Sequence, residues 1–118
     1  MDLLNKKCVP CEGGAMPLTR NEAEEYLKQI SGWGLVLDKN PKPEQARFRA
    51  RISKEYKFKD FIGAINFVNA VAEIANEEDH HPDIHVYYNK VTLDLWTHAI
   101  GSLSENDFIV AAKVDAMK

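Results

Sequence analysis

Hydrophobic periodicity along this 118-residue chain switches repeatedly between helix and strand, and that alternation constrains its fold more than any single motif. From Phe58 onward, Phe61, Ile62, Ile65, Val68, Ala72 and Ala75 recur at helical spacing, and Phe67, Val71 and Ile74 widen the apolar surface, which predicts a long central helix running toward Asn76 or Glu78. On its N-terminal side the period falls to two: Ala46, Phe48, Ala50 and Ile52 alternate with Arg47, Arg49 and Arg51. Trp33–Leu37 is a short apolar strand before it, joined by the turn-rich stretch DKNPKPEQ. On its C-terminal side Ile84–Tyr88 and Val91–Trp96 read as two strands around Asn89-Lys90, with Val91, Leu93 and Leu95 on one face and Thr92, Asp94 and Trp96 on the other.

Capping signals delimit the outer helices. Thr19 followed by Glu22 forms a capping box that opens a helix through about Ile30, ended by Gly32. Ser104 followed by Asp107 repeats the logic for a last helix that turns Phe108, Val110, Ala111, Ala112 and Val114 inward. The order α-β-β-α-β-β-α predicts an α+β domain: a four-stranded antiparallel sheet with three helices packed on one face. Residues 18–118 form this single domain, and residues 1–17 are read as a flexible tail. Cys8 and Cys11 make a C-x-x-C within that tail, but no second ligand pair follows for about seventy residues, so a structural zinc site is weakly supported.

Composition narrows the function classes. With 45% hydrophobic and 28% charged residues and a net charge of -3, the chain has the make-up of an ordinary globular protein without a general attraction for phosphate polymers or anionic lipid. No nucleic-acid or membrane partner is expected; the arginines at 47, 49 and 51 fit a solvated sheet face, because Phe48 points to the opposite side. No segment has the apolar length of a membrane span or a secretory leader, which makes the cytoplasm the economical compartment.

Three of the four histidines fall in the run DHHPDIHV at 79–86. Adjacent positions on a helix diverge by about 100°, so His80 and His81 could not address one site from regular helix. Pro82 biases His81 toward extended backbone, so the helix ends near His80 and the two rings become independent. If Asn89-Lys90 is a two-residue turn, Tyr88 pairs with Val91 and facing positions sum to 179, which sets His98 opposite His81 and Asp94 opposite His85. Three gathered imidazoles suit either a zinc ion with a water or metal-free acid–base work; adjacent histidines ligate one metal awkwardly, which favours the second. Asp107 is read both as a helix cap and as an anionic partner for a histidine.

The ordered set Asp79-His80-His81-Pro82, Tyr88-Asn89-Lys90-Val91, Thr97-His98 and Ser104-Glu105-Asn106-Asp107, together with Gly32-Trp33 and F-K-D-F at 58–61, resembles the pterin-4a-carbinolamine dehydratases over nearly everything after the tail. That resemblance implies dehydration of a 4a-hydroxytetrahydropterin, left by an aromatic amino acid hydroxylase, to quinonoid dihydropterin. It implies His80, His81 and His98 as catalytic residues, with His80 and His98 moving protons and His81 polarising the departing hydroxyl. It also implies substrate contacts from Trp33, Asp79, Thr97 and Asp107, no cofactor or metal, and a homodimer or homotetramer. For Trp33 a plain core role is an equal alternative. Two positions depart from the family pattern: Asn76 stands where animal members often carry glutamate, and Trp96 where a small residue is common. Some members are dimerisation cofactors of a transcription factor, so a protein-binding role is the competing reading; a third is a fold relative with a purely structural or regulatory purpose, disfavoured by the three histidines.

Overall fold

The computed structural model describes residues 3–9, 16–37 and 49–117. Among these lie three helices, α1 (Arg20–Leu27), α2 (Phe61–Glu78) and α3 (Glu105–Ala116), and four strands, β1 (Gly34–Leu37), β2 (Ala50–Lys57), β3 (Asp83–Tyr87) and β4 (Lys90–Leu95). The sheet runs β1-β2-β4-β3 with every neighbour antiparallel. The helices cover its inner face, in the α+β arrangement expected.

Period two is obeyed where it could be read. Val91, Leu93 and Leu95 of β4 and Ala50, Ile52 and Tyr56 of β2 are buried, whereas Thr92, Asp94 and Arg51 are half-exposed. The second strand starts and ends later than the alternation of 46–52 suggested; Ala46, Arg47 and Phe48 lie outside the described residues. Thr19 and Glu22 form the expected reciprocal capping box, but α1 stops at Leu27. Gly32 follows at φ +83, where a Cβ would meet the Lys54 side chain at 3.0 Å, so the turn into Trp33 needs glycine.

Two expectations are corrected. On α2 the buried stripe is Ala64, Phe67, Val71, Ala75 and Glu78, while Phe61, Ile62 and Ala72 face outward. Phe67 decides this rotation, because its ring packs 4.6 Å from Tyr56 and 5.0 Å from Phe58. In the β3–β4 hairpin Asp83 faces Asp94 and Tyr87 faces Lys90, so partners sum to 177 and His85 faces Thr92. The turn is Tyr88-Asn89, with Tyr88 left-handed at φ 53. Asn89 is held there by long-range bonds, its side-chain amide donating to Phe58 O at 3.0 Å and its carbonyl accepting Phe58 N–H at 2.8 Å. A slip of two residues preserves the faces, so the in-and-out assignments survive it.

Residues 3–9 are docked, in contrast to the loose tail expected. Leu3 is buried against the core, the Asn106 side chain pairs with both the N–H and the C=O of Val9 at 3.0 and 2.9 Å, and Lys6 bonds Glu105 at 2.8 Å. Cys8 donates its N–H to Glu78 at 2.9 Å, and its thiol lies against Asn106 O; Cys11 lies outside the described residues. These contacts cover the start of α3 and leave Asn106 through Ala111 buried. No helix among the described residues is long and apolar enough to cross a membrane.

Candidate active site

The end of α2 determines where two histidines go. Asp79 adopts the left-handed conformation (φ 52, ψ 42), its N–H reaches Asn76 O, and His80 N–H closes back on Ala75 O at 3.1 Å. These are the paired bonds of a Schellman ending, which fixes the backbone of His80 while Pro82 starts the extended segment into β3. His98 comes from the other side, in a tight turn after β4 closed by Thr97 N–H to Ser102 O at 2.8 Å and Gly101 N–H to Thr97 O at 3.0 Å. Gly101 has φ +65, the left-handed geometry such a turn needs.

Asp79, His80, His81, Trp96 and His98 line one cleft of about 170 Å³. Each imidazole has its own orienting neighbour. His80, 5% exposed, places Nε2 2.6 Å from Oδ1 of the fully buried Asp107. His81 is exposed and its Nε2 lies 3.0 Å from Asn76 Oδ1. His98 is exposed and stacks on the Trp96 indole, ring centroids 4.0 Å apart and planes 36° apart.

Behind His80 the Asp107 carboxylate is held by two further donors. Its Oδ2 accepts from Thr97 Oγ1 and from the Ser104 N–H, each at 3.0 Å. Thr97 has one hydroxyl hydrogen, spent on Asp107, so Ser104 Oγ must donate to Thr97 across their 2.7 Å contact. A carboxylate with this many fixed donors is held in one orientation, and the neutral ring of His80 must give its Nε2–H to it, leaving Nδ1 as the acceptor. The pair can therefore take up a proton at Nδ1, with the imidazolium stabilised from behind.

Of the anticipated substrate contacts, only Asp79 lines the cleft. Thr97 and Asp107 are fully buried and reach the cleft through His80. Both readings of Asp107 hold, since it caps α3 at the Ser104 N–H and partners a histidine. Trp33 is a core residue whose indole donates to Asp115 at 2.9 Å, eight residues or roughly 12 Å along α3 from Asp107. The same Asp115 carboxylate takes bonds from Tyr56 and Lys54, so this cluster anchors α3 to the sheet. Two residues without an assigned role, Trp96 and Asn76, prove to touch the histidines. The signal for Trp96 was in the alternation, which leaves a large aromatic on the open face two positions before His98. Asn76 stands one helical turn before His80, on the turn over which His81 folds back.

A second ion-pair group lies on the outer face, where His85 Nε2 is 3.3 Å and Arg51 Nε 3.8 Å from the Asp94 carboxylate. His85 is thus the histidine outside the cleft. Among the described residues no three His, Cys, Asp or Glu side chains are grouped as a metal site.

Comparison with known proteins identifies the family. The family described as pterin 4 alpha carbinolamine dehydratase matches residues 16–117. A provisionally named pterin-4-alpha-carbinolamine dehydratase of Nitrosomonas eutropha is 49% identical over 117 residues, covering 98% of this chain and 93% of that protein. Pterin-4-alpha-carbinolamine dehydratase 2, mitochondrial, of Arabidopsis thaliana is 39% identical and covers 99% of this chain and 59% of its own length. The crystal structure of a transcriptional coactivator/pterin dehydratase from Brucella melitensis superposes with a TM-score of 0.73 at 33% identity, covering 86% of this chain and 98% of that one. The chain belongs to the pterin-4a-carbinolamine dehydratase family.

Proposed function

We propose that this protein dehydrates a 4a-hydroxytetrahydropterin to quinonoid dihydropterin and water, returning the pterin to an aromatic amino acid hydroxylase. The observation that carries this reading is the single cleft lined by His80, His81, His98 and Asp79. The reaction breaks the C4a–O bond, forms a C=N bond to the adjacent ring nitrogen and releases that nitrogen's proton. Hydroxide leaves poorly unless it is protonated as it departs, so the site must supply one proton and remove another. His80, backed by Asp107, is suited to take the ring proton at Nδ1. His98, on the opposite wall, is suited to give one to the leaving oxygen, and His81 to hold that oxygen. The cleft is smaller than the roughly 300 Å³ of a pocket that encloses a drug-sized ligand, which suits gripping the reacting edge of a flat bicycle.

The test is to generate the carbinolamine with a hydroxylase and follow the ultraviolet change on dehydration with wild type, His80→Ala and His98→Ala. Each substitution should lower the rate by tens-fold or more at unchanged fold, in keeping with acid–base contributions of about 10² to 10⁴. Equal rates in all three remove the enzymatic assignment, and loss of wild-type activity on chelation would point to a metal.

A protein-contact role gains support from the start of α2, where Phe61 and Ile62 are 46% and 64% exposed. An apolar helix face of this kind suits association between copies of the chain, as a homodimer or homotetramer. Ile62→Glu should reduce the mass measured by light scattering; an unchanged mass places the contact elsewhere.

A further inference from the structure

We propose that Trp96 and Asp83 form a clamp that sets the orientation of His98, making both positioning residues for the dehydration; this rests on the catalytic reading above. Among the described residues the ring of His98 takes no hydrogen bond, in contrast to His80 and His81, so its stacking on Trp96 is what orients it. A ring in an exposed turn samples several rotamers, and an aromatic contact of this kind favours one of them by roughly two- to tenfold.

Trp96 is itself fixed. It directly follows Leu95, the last residue of β4, and its indole Nε1–H donates to Asp83 Oδ2 at 3.0 Å across to the start of β3. Asp83 lies two residues after His81, so this bond ties the wall that carries His98 to the loop that carries His81. Trp96 also forms part of a second cavity of about 310 Å³ with Ala50, Arg51, Asp83, His85 and Asp94. Trp96 thus lines both this cavity and the histidine cleft.

The clamp is tested in the full-length chain by two independent measurements on Trp96→Ala, Trp96→Phe and Asp83→Ala. In nuclear magnetic resonance spectra the carbon-bound ring protons of His98 carry the ring-current shift of the indole. They should move downfield in Trp96→Ala, much less in Trp96→Phe, and part-way in Asp83→Ala. In the carbinolamine assay Trp96→Ala should lower kcat by about ten- to a hundredfold, since small displacements of a reacting group are costly, with a smaller change in KM. Trp96→Phe should restore most of the rate. Added to His98→Ala, Trp96→Ala should cause no further loss, because its effect passes through that ring. Unmoved His98 resonances in Trp96→Ala, or a loss that multiplies with that of His98→Ala, overturns the clamp. If wild type and His98→Ala prove equal in activity, the dehydratase reading fails, and the His98 resonances in Asp83→Ala, where the indole is still present, decide whether the clamp orients the ring.

Discussion

Nε2 of His80 stands 2.6 Å from Oδ1 of Asp107, the imidazole 5% exposed and the carboxylate fully buried, and the carboxylate's other oxygen is taken up by Thr97 and Ser104. A residue read as a helix cap thereby also determines which ring nitrogen of His80 carries the hydrogen and which is left as an acceptor. Asp107→Asn keeps the shape but can turn an N–H toward Nε2, which would force the hydrogen onto Nδ1 and remove the acceptor from the cleft. The expected outcome is a fall in kcat of about 10² or more, by analogy with other histidines oriented by a carboxylate. Stability should fall by about 1–3 kcal/mol as bonds to the charged acceptor weaken. Steady-state kinetics alongside urea denaturation separates the two, and an unchanged kcat would remove the orienting role.

Asp79 holds a left-handed backbone at φ 52 while its side chain lines the cleft. Glycine adopts that conformation without the Cβ penalty, so Asp79→Gly should leave stability unchanged or raise it by up to about 1 kcal/mol. It should nonetheless raise KM, because the carboxylate available to a pterin N–H is gone. A lower urea midpoint with normal KM would reverse both assignments and make Asp79 purely structural.

Glu78, two residues before His80, bonds Lys113 at 2.7 Å and the Cys8 N–H at 2.9 Å. Burial alone would raise its pKa, but these bonds and the Lys113 charge outweigh that and hold it below the ordinary 4.5. Folded Glu78 therefore releases its proton more readily than unfolded Glu78. Its stabilisation is complete above about pH 4.5 and is lost as pH falls through the lower folded value. Glu78→Gln should be less stable at pH 7 by about 1–3 kcal/mol and lose less stability on acidification. Chemical denaturation at pH 7, 5 and 3.5 checks this, and parallel curves for variant and wild type would count against it.

The Cys8 thiol is pushed up to about 12 by burial and then by the Glu78 carboxylate. Only the thiolate attacks disulfide reagents, so native Cys8 should label slowly at pH 8 and rapidly once urea unfolds the chain. Mass spectrometry of the labelled peptide distinguishes Cys8 from Cys11. Fast stoichiometric labelling of native Cys8 would show that residues 3–9 do not stay docked.

Local chemistry carried much of this architecture. Alternation in 90–95 identified the buried face of β4, the Thr19–Glu22 box marked the start of α1, and Pro82 placed the end of α2 within two residues, because each acts through its own backbone or near neighbours. The meeting of His80, His81 and His98 in one cleft was legible in outline, but the expected facing of His98 with His81 was not, because partners sum to 177 and all three rings lie outside the paired strands. Only tertiary structure decided the rest. Asn89 shifted the hairpin turn by bonding Phe58, and Phe67 rotated α2 by packing on Tyr56. Trp33 and Thr97 turned inward because the half-buried Asp115 and the fully buried Asp107, both on α3, offered carboxylates to their donors. Periodicity is a property of neighbouring residues, whereas register, helix rotation and the partner of a buried polar group depend on contacts between segments that meet only once the chain has folded.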